Sequence, residues 1–272
     1  MSVGAVIAVL LKQHSVKLES QQQASEKLAA QLNLPLILDS EAEQFEFGLY
    51  YEQGILKLSQ LNSSDTGAIW VDFSKGKSAY RQKHQGKGKL PLSRACGIKQ
   101  NHRPVIIDAT AGLGQDAFVL AGLECEVTCI EQQAVLAALL RDGLMRAVNS
   151  SEAWLIEIVQ RLTLLEGLAE TRLSSLETEV VYLDPMYPAT QNRKNAKVKK
   201  GMQLFREFPG TISNEATLLK SALKCASERV VVKRPDWADP LADLKPSHLV
   251  PGKNHRYDVY KASSNFDSFI NS

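Results

Sequence analysis

Two rhythms of apolar and polar positions divide the chain. Up to residue 73, short apolar runs are broken by Gly, Asn, Ser and Asp; from Pro104 onward, apolar runs alternate with longer helical patterns. In the first part, Val3–Leu11 reads as a strand, because no basic residue precedes it and no clear cleavage site follows, as a signal peptide would require. Gln21–Leu32 carries Ala24, Leu28 and Leu32 at helical spacing. Leu36–Leu38, Phe45–Tyr51, Ile55–Leu61 and Ala68–Phe73 read as short strands. Residues 1–73 are therefore expected to form a small α+β region.

The second part predicts seven strands, at Val105–Asp108, Val127–Ile130, Leu162–Leu165, Val180–Leu183, Arg229–Lys233, His248–Val250 and Tyr257–Tyr260. Helices are expected over Asp116–Leu123, Gln133–Val148, a further stretch to about Gln160, and Glu215–Ala226. Such alternation predicts a doubly wound, mainly parallel sheet. Val250 and Tyr257 are too close for a helical crossover, so the last strand is expected to run antiparallel. This places an α/β domain at 104–272 and leaves 74–103 as a connecting segment.

Composition narrows the class. With 272 residues, 44% hydrophobic and 23% charged, the chain can bury its own core without a disulfide or metal staple. Cys96, Cys125, Cys129 and Cys225 form no CxxC and have no paired His spacing, so they read as buried thiols in a reducing compartment and no metal is expected. No apolar run reaches the roughly 18–20 residues of a membrane span, and a soluble cytoplasmic protein is expected. The net charge of +2 names no partner, but its distribution does. Nine cations and no acid lie between Phe73 and Ile107, and Arg193, Lys194, Lys197, Lys199 and Lys200 form a second acid-free run. Both are candidate phosphate-facing segments; solvated loops would read the same way.

Candidate chemistry begins at Asp108-Ala-Thr-Ala-Gly112-Leu-Gly114-Gln115-Asp116-Ala117, where a strand ends in an acid and glycines turn the chain into a helix. Glycines admit a ligand close to the backbone, and the helix start offers free N–H groups. Gly112 to Ala117 also fits G-x-G-x-x-A, with Glu131 nineteen residues after Gly112 at the end of the next strand, where it would accept both ribose hydroxyls. NAD and S-adenosylmethionine both suit this pattern, and a turn needed only for packing remains the bland alternative.

Val180-Val-Tyr-Leu-Asp184-Pro185-Met186-Tyr187-Pro188 separates the two cofactors. Amino-directed methyltransferases carry [D/N/S]-P-P-[Y/F/W] at this point. The lone pair of an exocyclic base amine is delocalised into the ring, so the amine is a weak nucleophile. Acceptors for its N–H groups, here the Asp184 side chain and the Pro185 carbonyl, favour a pyramidal and more reactive nitrogen, while Tyr187 would stack on the base. Met186 departs from the second proline. A strand-end turn capped by Asp and prolines is the structural alternative. Lys233 and Arg234, ending the buried run Val230–Val232, would contact RNA phosphate or neutralise nearby carboxylates. The five histidines lack triad or ligand spacing, and neither a G-x-S-x-G elbow nor a P-loop is present.

The run Ile107–Ala121, with Val181-Tyr-Leu-Asp-Pro-Met-Tyr-Pro188, Arg229-Val-Val-Val-Lys-Arg-Pro235, Val71-Asp-Phe73 and His255-Arg-Tyr-Asp-Val-Tyr260, resembles the ribosomal RNA small subunit methyltransferase J family from about residue 35 to the C-terminus. The resemblance implies a class I S-adenosylmethionine-dependent methyltransferase with a Rossmann-like, seven-stranded, mainly parallel sheet. It implies N2-methylation of one guanine in 16S rRNA, with naked rRNA or the small ribosomal subunit as partner. It assigns cofactor binding to Gln115, Asp116, Glu131, Gln132 and Asp184, beside the Asp108, Gly112 and Gly114 that the glycine turn itself offers. Gln115 and Gln132 stand where the family often has Arg. A family Ser pair aligns with Leu168 and Ala169, where only backbone groups would remain. The alternatives are an adenine or cytosine amino-methyltransferase, an NAD-linked oxidoreductase, and a non-catalytic RNA-binding protein on the same fold.

Overall fold

Parallel neighbouring strands need a crossover connection, and both parts of the chain supply helices for it. The computed structural model describes residues 7–12, 18–61, 67–75, 90–185 and 214–262. These fall into two compact units, residues 7–72 and residues 73–262.

The first unit is a four-stranded sheet in the order β2-β1-β3-β4, with β1 at Ile7–Leu11, β2 at Leu36–Leu38, β3 at Phe47–Glu52 and β4 at Ile55–Gln60. Helix α1, Leu18–Leu32, makes the crossover that lets β1 and β2 run parallel. β3 pairs parallel with β1 and antiparallel with β4, through a two-residue turn in which Gln53 and Gly54 both have positive φ. Ala8, Leu10 and Tyr50 centre a small core. The strand expected at Ala68–Phe73 does not form. Ile69, Val71 and Phe73 are buried, as its alternation predicts, and Ile69 forms an isolated antiparallel bridge to Leu58. Burial with period two thus occurs here without a ladder.

The second unit is the predicted seven-stranded sheet, ordered β10-β11-β9-β8-β5-β6-β7. Its strands are β5 (Ile106–Asp108), β6 (Val127–Glu131), β7 (Leu162–Glu166), β8 (Thr178–Leu183), β9 (Ala226–Arg234), β10 (His248–Pro251) and β11 (Arg256–Lys261). All pairings from β9 through β7 are parallel, whereas β11 is antiparallel to both β9 and β10. Helices α2 (Pro91–Ala95), α3 (Gln115–Gly122), α4 (Ala134–Val148), α5 (Ala153–Val159), α6 (Ala169–Leu173) and α7 (Glu215–Cys225) accompany it. From β5 the chain winds outward through β6 to β7, then returns to β8 on the other side of β5. The sheet therefore reverses direction between β5 and β8, and ligands in such sheets bind where the carboxyl ends of those strands diverge.

Residues 90–103, expected within a connecting segment, are part of this second unit. Helix α2 packs on β10 and β11, and Leu92, Ala95 and Cys96 are buried. All four cysteines are buried free thiols, and burial pushes those of Cys125 and Cys225 up to about 11. Among the described residues, no helix is long and apolar enough to cross a membrane.

Candidate active site

The carboxyl ends of β5, β6, β8 and β9 bring the motifs together. After Asp108 the chain turns at Gly112 and Gly114, whose φ values of 54° and 71° lie in the left-handed region that favours glycine. The two glycines serve different needs. A Cβ on Gly114 would sit 2.8 Å from Leu140 Cδ1, whereas one on Gly112 would meet nothing within 4 Å. Gly114 thus lets α3 approach α4, and Gly112 leaves open space beside the turn. Gly114 also precedes the first residue of α3, with no side chain capping the helix, so the free N–H groups face the turn.

Glu131, at the end of β6, is only 6% exposed. Its Oε2 accepts the Gly112 N–H at 2.7 Å, and its Oε1 accepts the Gln133 N–H, also at 2.7 Å. One carboxylate thereby fixes the glycine turn against the end of the second strand. Burial raises its pKa even though these backbone donors pull the other way. Asp108 is 2% exposed and its pKa is raised well above the ordinary range, first by burial and then by the neighbouring Asp116 charge.

The third cluster lies at the ends of β8 and β9. Asp184 follows β8 and is held by its backbone, its N–H donating to Thr110 Oγ1 at 2.6 Å. Lys233 Nζ donates to Asp184 Oδ2 at 2.8 Å and to Asp116 Oδ2 at 2.7 Å, and Tyr182 donates its hydroxyl to the same Asp116 oxygen at 2.7 Å. The Asp184 side chain is 38% exposed and that of Lys233 26%, so the pair opens to solvent at the mouth. Burial raises the Asp184 pKa against the opposing pull of Lys233. For Lys233 the order reverses: burial opposes its charge, but Asp184 and Asp116 hold it more basic than an ordinary lysine.

The sequence leaves Lys233 and Arg234 open between phosphate and carboxylate. Lys233 lies between two carboxylates, those of Asp116 and Asp184. Arg234 is 5% exposed; its Nε donates to the Asp239 carbonyl at 2.8 Å and its Nη1 lies 3.5 Å from Glu215 Oε1, so the guanidinium organises the following loop and faces a carboxylate. Asp116 is engaged by Tyr182 and Lys233. Gln115 is exposed on the first turn of α3, and Gln132 is half-buried beside Glu131. At the end of β7, Leu168 is exposed while Ala169 joins the hydrophobic core, leaving backbone groups as its only polar offering. Met186, Tyr187, Arg193, Lys194, Lys197, Lys199 and Lys200 lie outside the described residues.

Thr110 and Tyr182 were not singled out from sequence. The signal for Tyr182 was available: two positions before Asp184 on a strand, it shares a face with it. Thr110 gives no such sign, because its role depends on β5 lying beside β8. Elsewhere, His102, Glu179 and Glu228 bring possible ligand atoms within 4.8 Å of one another. Each already has a partner: His102 lies 3.5 Å from Glu228, and Glu179 accepts the Val105 N–H at 2.7 Å.

Comparison with known proteins decides the class. Residues 6–262 match the family described as "Putative SAM-dependent methyltransferase". Proteins named ribosomal RNA small subunit methyltransferase J are similar over most of their length. The one from Thioalkalivibrio sulfidiphilus is 44% identical over 246 residues, covering 89% of this chain and 94% of its own. The one from Serratia proteamaculans is 46% identical over 209 residues, covering 75% and 82%. The chain belongs to the ribosomal RNA small subunit methyltransferase J family. The crystal structure of a SAM-dependent methyltransferase from Neisseria gonorrhoeae superposes with a TM-score of 0.69 at 29% identity, covering 94% of this chain and 97% of that one. The fold is thus a Rossmann-like class I methyltransferase, and the cofactor is S-adenosylmethionine rather than a nicotinamide. The residues fit such a group: the side of Gly112 is open, and the buried Glu131 carboxylate would offer its remaining acceptor capacity to ribose hydroxyls.

Proposed function

We propose that this protein methylates the N2 exocyclic amine of a guanine in small-subunit (16S) rRNA. The observation that carries this reading is Asp184, an acid held by Thr110 and Lys233 at the mouth of the cofactor crevice and followed directly by Pro185. The names of the relatives support ribosomal RNA as the substrate. The proposed cofactor contacts are Asp108, Gly112, Gly114, Gln115, Asp116, Glu131, Gln132, Leu168, Ala169 and Asp184.

When bound, S-adenosylmethionine supplies an electrophilic methyl on a sulfonium. Asp184 and the Pro185 carbonyl accept hydrogen bonds from the guanine amine, which localises the nitrogen lone pair and aims it at the methyl. With the cofactor held beside Gly112 and Glu131, its methyl would be open to direct displacement by that nitrogen, with loss of the sulfide, and Asp184 or water would take the proton the nitrogen then sheds. Tyr187 would stack on the base, and the basic run at 193–200 would follow the phosphates of the same strand.

The experiment is methyl transfer to rRNA from a strain lacking this enzyme, with nucleoside mass spectrometry of the product. Appearance of N2-methylguanosine supports the reading, whereas methyladenosine or methylcytidine would replace the guanine by another base. An Asp184→Ala variant retaining a rate within a few-fold of wild type would remove Asp184 from the chemistry.

A further inference from the structure

The two contacts of Lys233 have a consequence for Asp184, and the inference rests on the proposed role of that acid. A carboxylate accepts hydrogen bonds from an amine more strongly when ionised, because both oxygens then accept and neither carries a proton, and the surroundings of Asp184 work against ionisation. Asp116 faces it from α3, Asp108 lies buried at the end of β5, and Tyr182 and Tyr257 contribute hydroxyls rather than positive charge. On the favourable side are Lys233 from β9 and the weaker influence of His255 from the turn before β11. The contact follows from register: Leu183 pairs with Val232, so Asp184 and Lys233 are the next residues on adjacent parallel strands.

We propose that Lys233 is a positioning residue, whose ammonium, shared between Asp116 and Asp184, keeps Asp184 ionised and turned toward the incoming amine. Two acids around one cation form a balanced unit in which removing either partner shifts Asp184 in opposite directions.

The test is kcat against pH at saturating S-adenosylmethionine and rRNA for wild type, Lys233→Met, Lys233→Arg and Asp116→Asn. Lys233→Met should lower kcat near neutral pH by about tenfold or more and move the acid limb to higher pH, so that alkaline buffer restores part of the rate. Lys233→Arg should restore most of it. Asp116→Asn should move the acid limb the other way, and it carries the test alone if Lys233→Met fails to fold. A thermal melt reports folding of each variant. An acid limb that stays in place in the folded variants overturns the proposal, as does a higher KM for RNA at unchanged kcat. Wild-type transfer to rRNA is the separate control: if that occurs and the limb stays, only the role of Lys233 falls.

A separate observation concerns the loop after β9. Trp237 is 47% exposed, yet its loop is held from below by charged donors. Arg256 donates to the carbonyls of Pro235 and Asp236 at 3.0 Å each and of Ala238 at 2.7 Å. Arg234 donates to that of Asp239, and the Ala238 N–H closes the turn on Pro235 at 3.0 Å. The indole sits on a fixed turn four residues beyond Lys233, in the loop that leaves the carboxyl end of β9, the strand beside β8 and Asp184. About half of the indole is left open to water. A nucleobase is a partner that would cover it, since base–aromatic stacking contributes about 1–3 kcal/mol per base.

The geometry points to Trp237 as a stacking platform for a base of the rRNA strand near the target guanine. Trp237→Ala should raise KM for rRNA by about 5–150-fold, the same stacking energy expressed as a ratio, with S-adenosylhomocysteine affinity and Tm unchanged. Trp237→Phe should stay near wild type. A KM within twofold of wild type for Trp237→Ala overturns the assignment, while loss of cofactor binding would mark the residue as structural and overturn it equally.

Discussion

Thr110 Oγ1 accepts the Asp184 N–H at 2.6 Å, tying the end of β5 to the end of β8 across the point where the sheet reverses. Two segments 74 residues apart in sequence thereby share one hydroxyl, and the placement of Asp184 depends on it. Thr110→Val keeps the shape but removes the acceptor, leaving a part-buried N–H unsatisfied at a cost of about 1–3 kcal/mol. The expected outcome is a loss of about tenfold or more in kcat, with S-adenosylhomocysteine affinity within about threefold of wild type. Thr110→Ser should restore the rate. Steady-state kinetics and calorimetry on the three proteins check this.

Glu131 gives a pH-dependent prediction for cofactor binding. Its carboxylate accepts two backbone N–H bonds, and burial raises its pKa, so the folded protein binds this proton more readily than the unfolded chain does. The sign follows: ionised Glu131 costs stability at neutral pH, and that cost is relieved as pH falls through the raised pKa. Cofactor affinity runs the opposite way, because a protonated carboxyl loses accepting capacity for ribose hydroxyls. S-adenosylhomocysteine should therefore bind more weakly at pH 5 than at pH 7.5. Glu131→Gln should weaken binding by about 10–100-fold at pH 7.5 and flatten the pH dependence while leaving Tm within a few degrees of wild type. Calorimetry at the two pH values and a thermal melt test all three statements.

Much of this arrangement was legible before any coordinates. The alternation after Pro104 predicts the seven strands, and the short gap between Val250 and Tyr257 predicts the antiparallel finish that β11 shows. The glycine turn and Glu131 were readable because they are local, with special φ values and an acid at a strand end. The direction of Lys233 was not. A cation ending a buried strand points equally well to phosphate or to carboxylate until the register of β8 against β9 is known. Arg234 was open for the same reason: one partner, the Asp239 carbonyl, is a backbone atom with no sequence signature, and the other, Glu215, is nineteen residues away. Ala68–Phe73 shows the converse failure, since alternation reports which side chains are buried and leaves ladder formation undetermined.

Gly112 and Gly114 should respond differently to alanine although both have positive φ. At Gly114 the added methyl carries the left-handed penalty of about 1–2 kcal/mol and also meets Leu140 Cδ1 at 2.8 Å, in the packing of α3 on α4. At Gly112 the space is open and only the backbone penalty applies. Gly114→Ala should lower Tm by several degrees more than Gly112→Ala does. Gly112→Ala, with its methyl projecting into the cofactor's room, should instead show the larger loss of S-adenosylhomocysteine affinity for its loss of stability. Parallel melts and titrations distinguish the two.

Asp258 is fully buried in β11 and faces the Arg256 guanidinium, whose Nε donates to Oδ1 at 2.7 Å and whose second amino group donates to Oδ2 at 3.2 Å. The same guanidinium holds the carbonyls of Pro235, Asp236 and Ala238, so the pair anchors the loop after β9 to the edge of the sheet. Removing one partner of such a pair leaves the other charge without compensation, which costs about 3–5 kcal/mol. Asp258→Ala should therefore lower Tm by about 10 °C. Arg256→Lys keeps the charge but lacks the planar fork that reaches the carboxylate and three carbonyls together, so it should lie between wild type and Asp258→Ala. If the loop carries an RNA contact, Arg256→Lys should also raise KM for rRNA below the melting range, while Asp184 chemistry, measured as kcat, stays within about threefold of wild type. A variant with normal Tm and normal KM would show that the turn holds its shape without the guanidinium.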